Sequence, residues 1–202
     1  MMLSPVAPED LEAIAALVNC AYRGVEGSRG WTHEGDYIDG ARTSAEHLRA
    51  DLAHPGATLL AARSAPGEAP TGCVWLEPTA DGAWYLGMLT VRPDLQANGA
   101  GRRLLEAAEA YAAGKGARRI RMTVVSIRES LIAWYLRRGY EPTGERVPFP
   151  YDDERFGTPR IPGLDFVVLE KSLTREAAGG PARPHRSAVP TMTAWSSAVR
   201  RS

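Results

Sequence analysis

Hydrophobic and polar positions follow two different periods along the chain, and together they predict an α/β fold. Stretches whose apolar residues recur at helical spacing indicate helices, and short apolar or alternating runs between them indicate strands. The predicted helices cover residues 11–23, 43–53, 99–113 and 127–138, and the predicted strands cover 2–7, 57–63, 72–77, 84–91, 119–125, 140–147 and 164–173. The resulting order, β-α-α-β-β-β-α-β-α-β-β, predicts one domain over residues 1–173.

Turn and cap residues indicate how these elements connect. A hairpin signal at 80–82 makes strand 84–91 antiparallel to strand 72–77. A helix separates strand 84–91 from strand 119–125, so this crossover should make the pair parallel. The second and fourth helices begin with predicted capping boxes, which are Thr43-x-x-Glu46 and Ser126-x-x-Glu129.

Three segments lack a periodic pattern. Residues 24–40 are irregular and rich in glycine, and 148–163 is a long loop that contains prolines, aromatic residues and acids. Structured loops of such length are often functional. Residues 174–202 are rich in Ala, Pro, Ser, Gly and Arg, which predicts a disordered tail. The alternative is a short helix that Trp195 anchors on the body of the protein.

Composition and charge limit the classes of function. The 202 residues include 24 Lys and Arg and 24 Asp and Glu, so the formal net charge is zero. A general nucleic-acid binder would usually carry a basic excess, and no apolar run is long enough to span a membrane. We therefore expect neither nucleic acid nor membrane as a partner. No metal site is predicted, because no metal-ligand spacing connects His33, His47, His54 and His185.

The cysteines and the N-terminus bear on the location of the protein. Cys20 and Cys73 lie far apart in the sequence, and we expect buried free thiols rather than a disulfide or a metal pair. The N-terminus has neither the basic segment nor the apolar core of a signal peptide. A reducing cytoplasm fits these observations, so a cytoplasmic location is expected.

The strongest chemical signal is the succession of strand, glycine-rich turn and helix at 86–105. An apolar run ending at Val91 leads through a polar connector to Gly99-Ala100-Gly101 and a helical pattern. The first N–H groups of a helix lack internal partners, the helix dipole adds partial positive charge, and glycine lets a phosphate approach the backbone. Cations are normally disfavoured in a first helical turn, so Arg102 and Arg103 make more sense if a polyanion binds there.

This turn matches neither of two common nucleotide motifs. A Walker loop needs Lys-Ser/Thr after its last glycine, and the dinucleotide fingerprint needs a third glycine. The pattern that does match, Gln96-x-x-Gly99-x-Gly101, resembles the acetyl-CoA pyrophosphate loop of the GNAT superfamily of N-acyltransferases. The alternative is a glycine-containing helix start that binds nothing.

A second motif supports this resemblance. The run LIAWYLRRGY at 131–140 looks like the final helix of the family, normally Ala-x-x-x-Tyr-x-x-x-Gly-Phe/Tyr. The element order also matches the GNAT fold. The resemblance therefore implies a mixed α/β fold with a mostly antiparallel central sheet of about seven strands and about four helices.

The resemblance implies an N-acetyltransferase that uses acetyl-CoA as co-substrate and no metal. The acceptor amine would attack the thioester directly in a ternary complex. We expect the primary amine of a small molecule, and the open alternatives are a protein N-terminus or lysine, or a CoA-binding regulatory module without turnover. Residues 24–40 and 148–163 should form the acceptor pocket, with acids that favour a cationic amine and an aromatic loop that resembles a lid. The sequence leaves the oligomeric state open between a monomer and a homodimer, although family members are often dimers.

The resemblance also indicates where coenzyme A would bind. Main-chain groups of Leu89, Thr90 and Val91 should pair with the pantetheine arm like an added strand, and one N–H should polarise the thioester. The strands at 83–91 and 119–125 should splay apart to admit this arm. The N–H groups expected to hold the pyrophosphate belong to Gln96, Ala97, Asn98, Gly99, Ala100, Gly101 and Arg102.

Two catalytic residues are predicted. By resemblance, Tyr135 is the general acid that protonates the leaving thiolate, since the reference pKa of a phenol, about 10, lies just above that of a thiol, about 8.5. The alternative is a plain core aromatic. Glu77 ends a strand beside the site and is the first candidate for the general base, with Glu34 and Asp36 second. The alternative for Glu77 is a surface acid at a strand end.

One position departs from the family pattern. The family often has an asparagine that contacts the CoA arm two helical turns before the tyrosine, and Arg128 occupies that position here. Seven residues are nearly two whole turns, so Arg128 and Tyr135 should share a helix face. Arg128 could replace the asparagine contact, pair with a carboxylate of the acceptor, or be a solvated arginine.

Overall fold

The structure, a computed structural model that describes residues 1–24 and 33–173, follows the predicted order of elements. Its strands are β1 (Met2–Pro5), β2 (Ile38–Asp39), β3 (Thr58–Arg63), β4 (Gly72–Pro78), β5 (Trp84–Val91), β6 (Arg119–Val125), β7 (Glu141–Pro148), β8 (Thr158–Pro159) and β9 (Asp165–Ser172). Its α-helices are α1 (Leu11–Arg23), α2 (Ala45–Asp51), α3 (Ala100–Gly114) and α4 (Glu129–Leu136), with 3₁₀ turns at Pro8–Asp10, Pro93–Asn98 and Glu154–Phe156. The predicted tail at 174–202 lies outside the described residues.

Seven strands form the central sheet in the order β1-β3-β4-β5-β6-β9-β7. All neighbouring strands are antiparallel except β5 and β6, which α3 connects in parallel. The crossover predicted between these two strands is therefore confirmed, and so is the mixed α/β class with a mostly antiparallel sheet and four α-helices in the described residues.

Helices cover both faces of the sheet. One apolar core joins α3 and α4 to one face, where Leu60 and Val74 point, and a second core joins α1 and α2 to the other face, where Leu59 and Cys73 point. Successive residues of a strand point to opposite faces, so β3 and β4 are apolar on both sides. This explains why the two strands read as continuous apolar runs in the sequence.

A small second sheet joins two segments that looked irregular in the sequence. Strand β2 of the 24–40 segment pairs antiparallel with β8 of the 148–163 loop, with Ile38 opposite Pro159. Arg160 strengthens the connection by pairing with the carboxylate of Asp39 and donating its N–H to the Tyr37 carbonyl at 2.9 Å. The loop is therefore hydrogen-bonded to the segment near α1.

Both predicted capping boxes are wrong. The cap of α2 is Ser44, one residue later than predicted, and its Oγ accepts the N–H of His47 at 3.1 Å. Helix α4 begins at Glu129, and Ser126 lies outside it because its backbone N–H bonds to the carbonyl of Asp165 at 2.9 Å. Ser126 thus continues the contact between β6 and β9, which a local sequence pattern does not reveal.

The cysteines differ from each other in exposure. Cys73 is buried, and burial raises the pKa of its thiol to about 12. Cys20 is exposed, so the prediction that it is buried is wrong. It lies on α1 at a position that faces away from the sheet. Among the described helices, none is both long and apolar enough for a membrane span.

Candidate active site

A cleft opens between β5 and β6. Both strands lie within the described residues, and they pair at two positions only, Trp84 with Ile120 and Tyr85 with Arg121. Beyond these pairs the strands diverge. Residues 86–89 and 122–125 line the resulting cavity, whose empty volume is about 670 Å³. The splay expected for these two strands is therefore present, and it leaves space in the middle of the sheet.

A bulge turns the main chain of β5 toward this cleft. The register with β4 shifts between Cys73 and Trp75, so Met88 and Leu89 together lie opposite Val74. Met88 adopts φ 50°, a left-handed value that is unusual for a non-glycine residue. Because the bulge interrupts the ladder, the segment from Gly87 to Leu89 becomes part of the cavity wall.

The predicted pantetheine segment is thus only partly at the cleft. Leu89 lines the cavity, whereas the side chain of Thr90 is fully buried and donates to the Met88 carbonyl at 3.0 Å. Val91 is in the core. Gly87 and Met88 were not predicted, although a glycine inside a strand is a known signal for a bulge or a close backbone approach.

The glycine-rich turn has the geometry of a helix start. After the 3₁₀ turn Pro93–Asn98, which contains Gln96 and Ala97, Gly99 adopts φ 69° and precedes the first residue of α3, Ala100. The side chain of Gln96 donates to the Val91 carbonyl at 2.9 Å and so holds the turn against the end of β5. Residues 96–102 therefore lie where the unpaired amides and the positive dipole end of α3 meet.

The two arginines of this first turn are solvent-exposed. The Arg102 Nε lies 3.6 Å from the Glu106 carboxylate, and the Arg103 guanidinium folds back to donate to the Asn98 carbonyl at 2.8 Å. These contacts are at the surface, where ion pairs contribute little stability. Both guanidiniums can therefore turn toward a bound anion at small cost.

Tyr135 is buried at the cleft. Its ring packs edge-on against Trp134 and Tyr140, and the side chain lines the cavity. Removal from water raises the pKa of its phenol above the ordinary value. Tyr22 raises this pKa further by a smaller amount, and the positive charge of Arg128 lowers it. No hydrogen bond connects its hydroxyl to another described residue.

Two further tyrosines line the same cavity, and sequence reasoning did not identify them as site residues. The Tyr22 hydroxyl donates to the Leu89 carbonyl at 3.5 Å, and burial raises its pKa to about 12. The Tyr85 hydroxyl shares a hydrogen bond of 3.1 Å with Thr123. Tyr22 lies inside the predicted helix 11–23, and no separate signal identified it as a site residue.

Arg128 forms a buried ion cluster. The Glu34 carboxylate binds the Arg128 Nη1 at 3.2 Å and the Arg23 Nη1 at 2.7 Å, and all three side chains are at most 10% exposed. Arg128 is therefore not a solvated arginine. Both guanidiniums and Glu34 line the cavity.

The candidates for the general base lie in different surroundings. Both Glu34 oxygens are bound by guanidiniums, and Asp36 is exposed near His33, outside the residues that line the cleft. Glu77 is buried at 7% exposure, so it is not a surface acid, and its Oε2 accepts one long hydrogen bond from the Trp75 Nε1 at 3.3 Å.

Glu77 lines a second cavity that adjoins the first. Its empty volume is about 720 Å³, and it shares Arg42, Tyr85, Gly87, Met88 and Phe156 with the first cavity. Residues from both segments predicted to form an acceptor pocket line the two cavities, including Glu34 and Ile38 from the first segment and Phe149 and Arg155 from the second. Residues 25–32 of the first segment lie outside the described part of the chain.

No metal-binding cluster is present in the part of the chain that the structure describes. Within it, no group of three or more His, Cys, Asp or Glu side chains could hold an ion. The groups that line the cleft include main-chain amides, phenols, carboxylates and guanidiniums.

Comparison with known proteins bears on both the family and the fold of the chain. The model of the acetyltransferase (GNAT) family matches residues 12–140. No curated protein sequence matches the chain.

Among solved structures, smu.2055 from Streptococcus mutans UA159 is similar at a TM-score of 0.64 and 14% identity, covering 86% of this chain and 100% of that one. An N-acetyltransferase from Staphylococcus aureus Mu50 has a TM-score of 0.61 and 15% identity, with 86% and 98% covered. An aminoglycoside 6'-acetyltransferase type Ii has a TM-score of 0.59 and 19% identity, with 87% and 99% covered. At these identities the similarity is one of fold.

Proposed function

The chain belongs to the acetyltransferase (GNAT) family, and we propose that it transfers the acetyl group of acetyl-CoA to the primary amine of a small molecule. The observation that carries this proposal is the cleft between β5 and β6, which has a bulged main chain on one side and Tyr135 on the other. The reaction is an acyl transfer, so one thioester bond breaks and one amide bond forms.

Coenzyme A would bind along main-chain groups. The bulge at Met88 and Leu89 leaves strand main chain at the cavity wall, where it can pair with an extended pantetheine arm. The start of α3 at Gly99 and Ala100 offers amides and a positive dipole end to the diphosphate. A main-chain N–H near the bulge would stabilise the negative charge on the thioester oxygen during attack.

Tyr135 would supply the proton for the leaving thiolate. Its hydroxyl has no bonding partner among the described residues, whereas the hydroxyl of Tyr22 is bonded to a main-chain carbonyl. Burial raises the Tyr135 pKa, so the phenol is in its protonated form when the thiolate leaves. In this scheme the amine attacks directly, and no acyl-enzyme forms.

Glu77 would accept the proton that the acceptor ammonium loses before it attacks, directly or through a water. It is buried in the cavity next to the cleft and keeps most of its lone pairs available. Glu34 fits this role less well because two guanidiniums bind its carboxylate. Changing Glu77→Gln while leaving Glu34 intact should therefore lower kcat/KM by about 10²-fold or more.

A small acceptor is favoured over a peptide. An extended peptide needs an open groove or a free strand edge beside the site. Here the two segments next to the cavities are paired with each other through β2 and β8, and Phe149 and Phe156 from the loop line the cleft. This arrangement suits an enclosed pocket.

Two measurements test the proposal. Acetyl-CoA should raise the unfolding temperature, because a ligand that binds only the folded state stabilises it by about 2.7 kcal/mol at 100 times its Kd. Free thiol should then be released in a saturable manner with at least one member of a broad panel of small amines. Well-folded protein that neither binds acetyl-CoA nor releases thiol would overturn the proposal, and binding without release would favour a regulatory module.

A further inference from the structure

The arginines around the two cavities differ in whether they have a carboxylate partner. Of the described residues, four arginines line these cavities, and three of them form ion pairs. Arg23 and Arg128 bind Glu34, and Arg155 binds Asp153 through contacts that reach 2.7 Å. Each of these three arginines therefore has a carboxylate partner within the protein, and Arg23 and Arg128 share one.

Arg42 is the exception among these four. It is half-buried, lines both cavities, and has no described carboxylate within ion-pair distance. Its guanidinium lies 5.6 Å from the centre of the Tyr22 ring, a cation–π contact that leaves the N–H groups available. A half-buried guanidinium without a carboxylate partner keeps N–H donors that an anionic ligand can use.

The backbone that carries Arg42 is held in place. The Asn19 Oδ1 on α1 accepts the N–H of Arg42 at 2.7 Å and that of Thr43 at 3.2 Å, and the Asn19 Nδ2 donates to the Thr43 carbonyl at 2.9 Å. These three bonds fix the segment before α2. The backbone that carries the cation is thus fixed before any ligand arrives, which lowers the entropy cost of binding.

The second cavity also contains unpaired acids. Neither Glu77 nor Asp51 forms an ion pair with a described residue, and both line this cavity together with His47 and His54. The cavity therefore presents a cation, Arg42, and carboxylates to the same occupant. A ligand with one negative and one positive group would complement both kinds of charge.

We propose that the acceptor is a small amine that also carries an anionic group, and that Arg42 binds this anion. The assignment rests on the proposed acetyl transfer and names its substrate class. The guanidinium fork matches a carboxylate or a phosphonate with two parallel hydrogen bonds. The acids of segments 24–40 and 148–163 favoured a purely cationic amine in the sequence analysis. Such an amine would place a second positive charge beside Arg42 and give it no anionic partner. Two of those acids, Glu34 and Asp153, are already bound by arginines.

The test compares matched acceptors. Initial rates are measured with the standard L-amino acids, with their carboxamides and decarboxylated amines, and with aminoalkylphosphonates. KM should be lower for an anionic acceptor than for its neutral counterpart by about 10- to 100-fold, the range expected for hydrogen bonds between charged groups. The carboxylate and phosphonate series then distinguish which anion fits.

Variants assign the effect to Arg42. Arg42→Gln should raise the KM of anionic acceptors by about 10- to 100-fold and leave that of decarboxylated amines within about 2-fold, and Arg42→Lys should give an intermediate value. Arg49→Gln removes an exposed arginine of α2 outside both cavities and serves as the control. Circular dichroism of each variant checks that it is folded.

The outcomes separate this inference from the proposed function. If diamines or neutral amines are the better acceptors and Arg42→Gln leaves all KM values unchanged, the inference is wrong while acetyl transfer stands. If no amine releases thiol, binding still decides. Quenching of tryptophan fluorescence, which Trp75 in the cavity reports, should show tighter binding of an amino acid than of its carboxamide. The inference is overturned if the wild type binds the amino acid and its carboxamide equally. It is also overturned if Arg42→Gln binds the amino acid as tightly as the wild type does.

Discussion

The three tyrosines of the cleft differ in what their hydroxyl groups contact. Tyr22 donates to a main-chain carbonyl and Tyr85 shares a bond with Thr123, whereas no described residue binds the Tyr135 hydroxyl. Tyr22 and Tyr135 are buried and Tyr85 is half-buried, and removal from water raises the pKa of each. A leaving thiolate requires a protonated donor whose hydroxyl is not already hydrogen-bonded within the protein, and Tyr135 meets this requirement among the described residues.

Tyr135→Phe should lower kcat by about 10²- to 10⁴-fold, the usual contribution of a positioned general acid. Acetyl-CoA should still bind, because the ring keeps its edge-on contacts with Trp134 and Tyr140. Steady-state rates and calorimetric titration with acetyl-CoA measure the two effects. Tyr22→Phe is the matched control, and a larger loss in that variant than in Tyr135→Phe would assign the proton donor to Tyr22.

The pH dependence should reflect the protonated state of Tyr135. Because burial raises its pKa, the proton-donating form persists to higher pH than for a phenol in water. With a saturating acceptor, kcat should therefore not fall between about pH 7 and about pH 10, the reference pKa of tyrosine. A pH–rate profile checks this, and a descending limb centred near or below about pH 9 would contradict it.

At the scale of elements, the connection from β5 to α3 depends on two left-handed residues. Met88 forms the bulge at φ 50°, and Gly99 starts α3 at φ 69°. A side chain at position 99 would also lie 3.6 Å from the guanidinium of Arg103. The bulge opens the cleft, and the glycine aims the helix N-terminus at the proposed diphosphate.

Gly99→Ala should destabilise the fold by about 1–2 kcal/mol, the cost of a left-handed conformation for a residue with a Cβ. It should also weaken acetyl-CoA binding, since relaxation of the strain moves the first-turn amides. Gly67→Ala is a suitable control, because Gly67 has φ 78° with open space around it, far from the cleft in sequence. Denaturant unfolding and calorimetry separate the two effects, and equal acetyl-CoA affinity in both variants would count against the diphosphate site.

The ion cluster joins three elements around the cleft. Glu34 connects Arg23 at the end of α1 with Arg128 at the start of α4, and Arg23 also donates to the Phe156 carbonyl of the loop at 3.4 Å. The cluster therefore holds the helix of Tyr135 against the segments that line the cavities.

Glu34→Gln should lower the free energy of unfolding by about 3–5 kcal/mol, because it leaves two buried guanidiniums without a carboxylate. Denaturant titration measures this loss. Asp36→Asn, which changes an exposed acid of the same segment, should have little effect. A Glu34→Gln variant of normal stability but without turnover would instead support a role for Glu34 as the general base.

In the whole molecule, the last strand, β9, lies between β6 and β7 in the central sheet. Leu173 follows β9, packs against the core and donates its N–H to the Arg118 carbonyl at 2.8 Å. We therefore expect the described residues to fold without residues 174–202. A chain that ends after Thr174 should keep its unfolding temperature within about 2 °C and its acetyl transfer rate. Differential scanning calorimetry tests this, and a larger loss would support packing of the tail on the body through Trp195.

Much of the fold could be predicted because it depends on local pattern. The apolar period predicted α1 to its last residue, Arg23, and the start of α3 to within one residue of Ala100. By contrast, Ser126 matches a capping pattern but bonds to Asp165, a residue of a different strand. The small sheet of β2 and β8 was missed for the same reason, since its strands are two residues each and pair across the chain.

The parts of the candidate site that lie within one short segment could be predicted from the sequence. The contacts between segments that are distant in the sequence could not. A turn with a left-handed glycine before a helix, and a tyrosine near the end of a later helix, are properties of neighbouring residues, so the sequence by itself determined both. The partners of charged groups were decided only by the tertiary structure. Glu34 and Arg128 are 94 positions apart, and Arg42 is the arginine of the cavities that has no carboxylate partner among the described residues. Electrostatic pairing depends on distance in space, and a linear sequence does not contain that distance until the chain has folded.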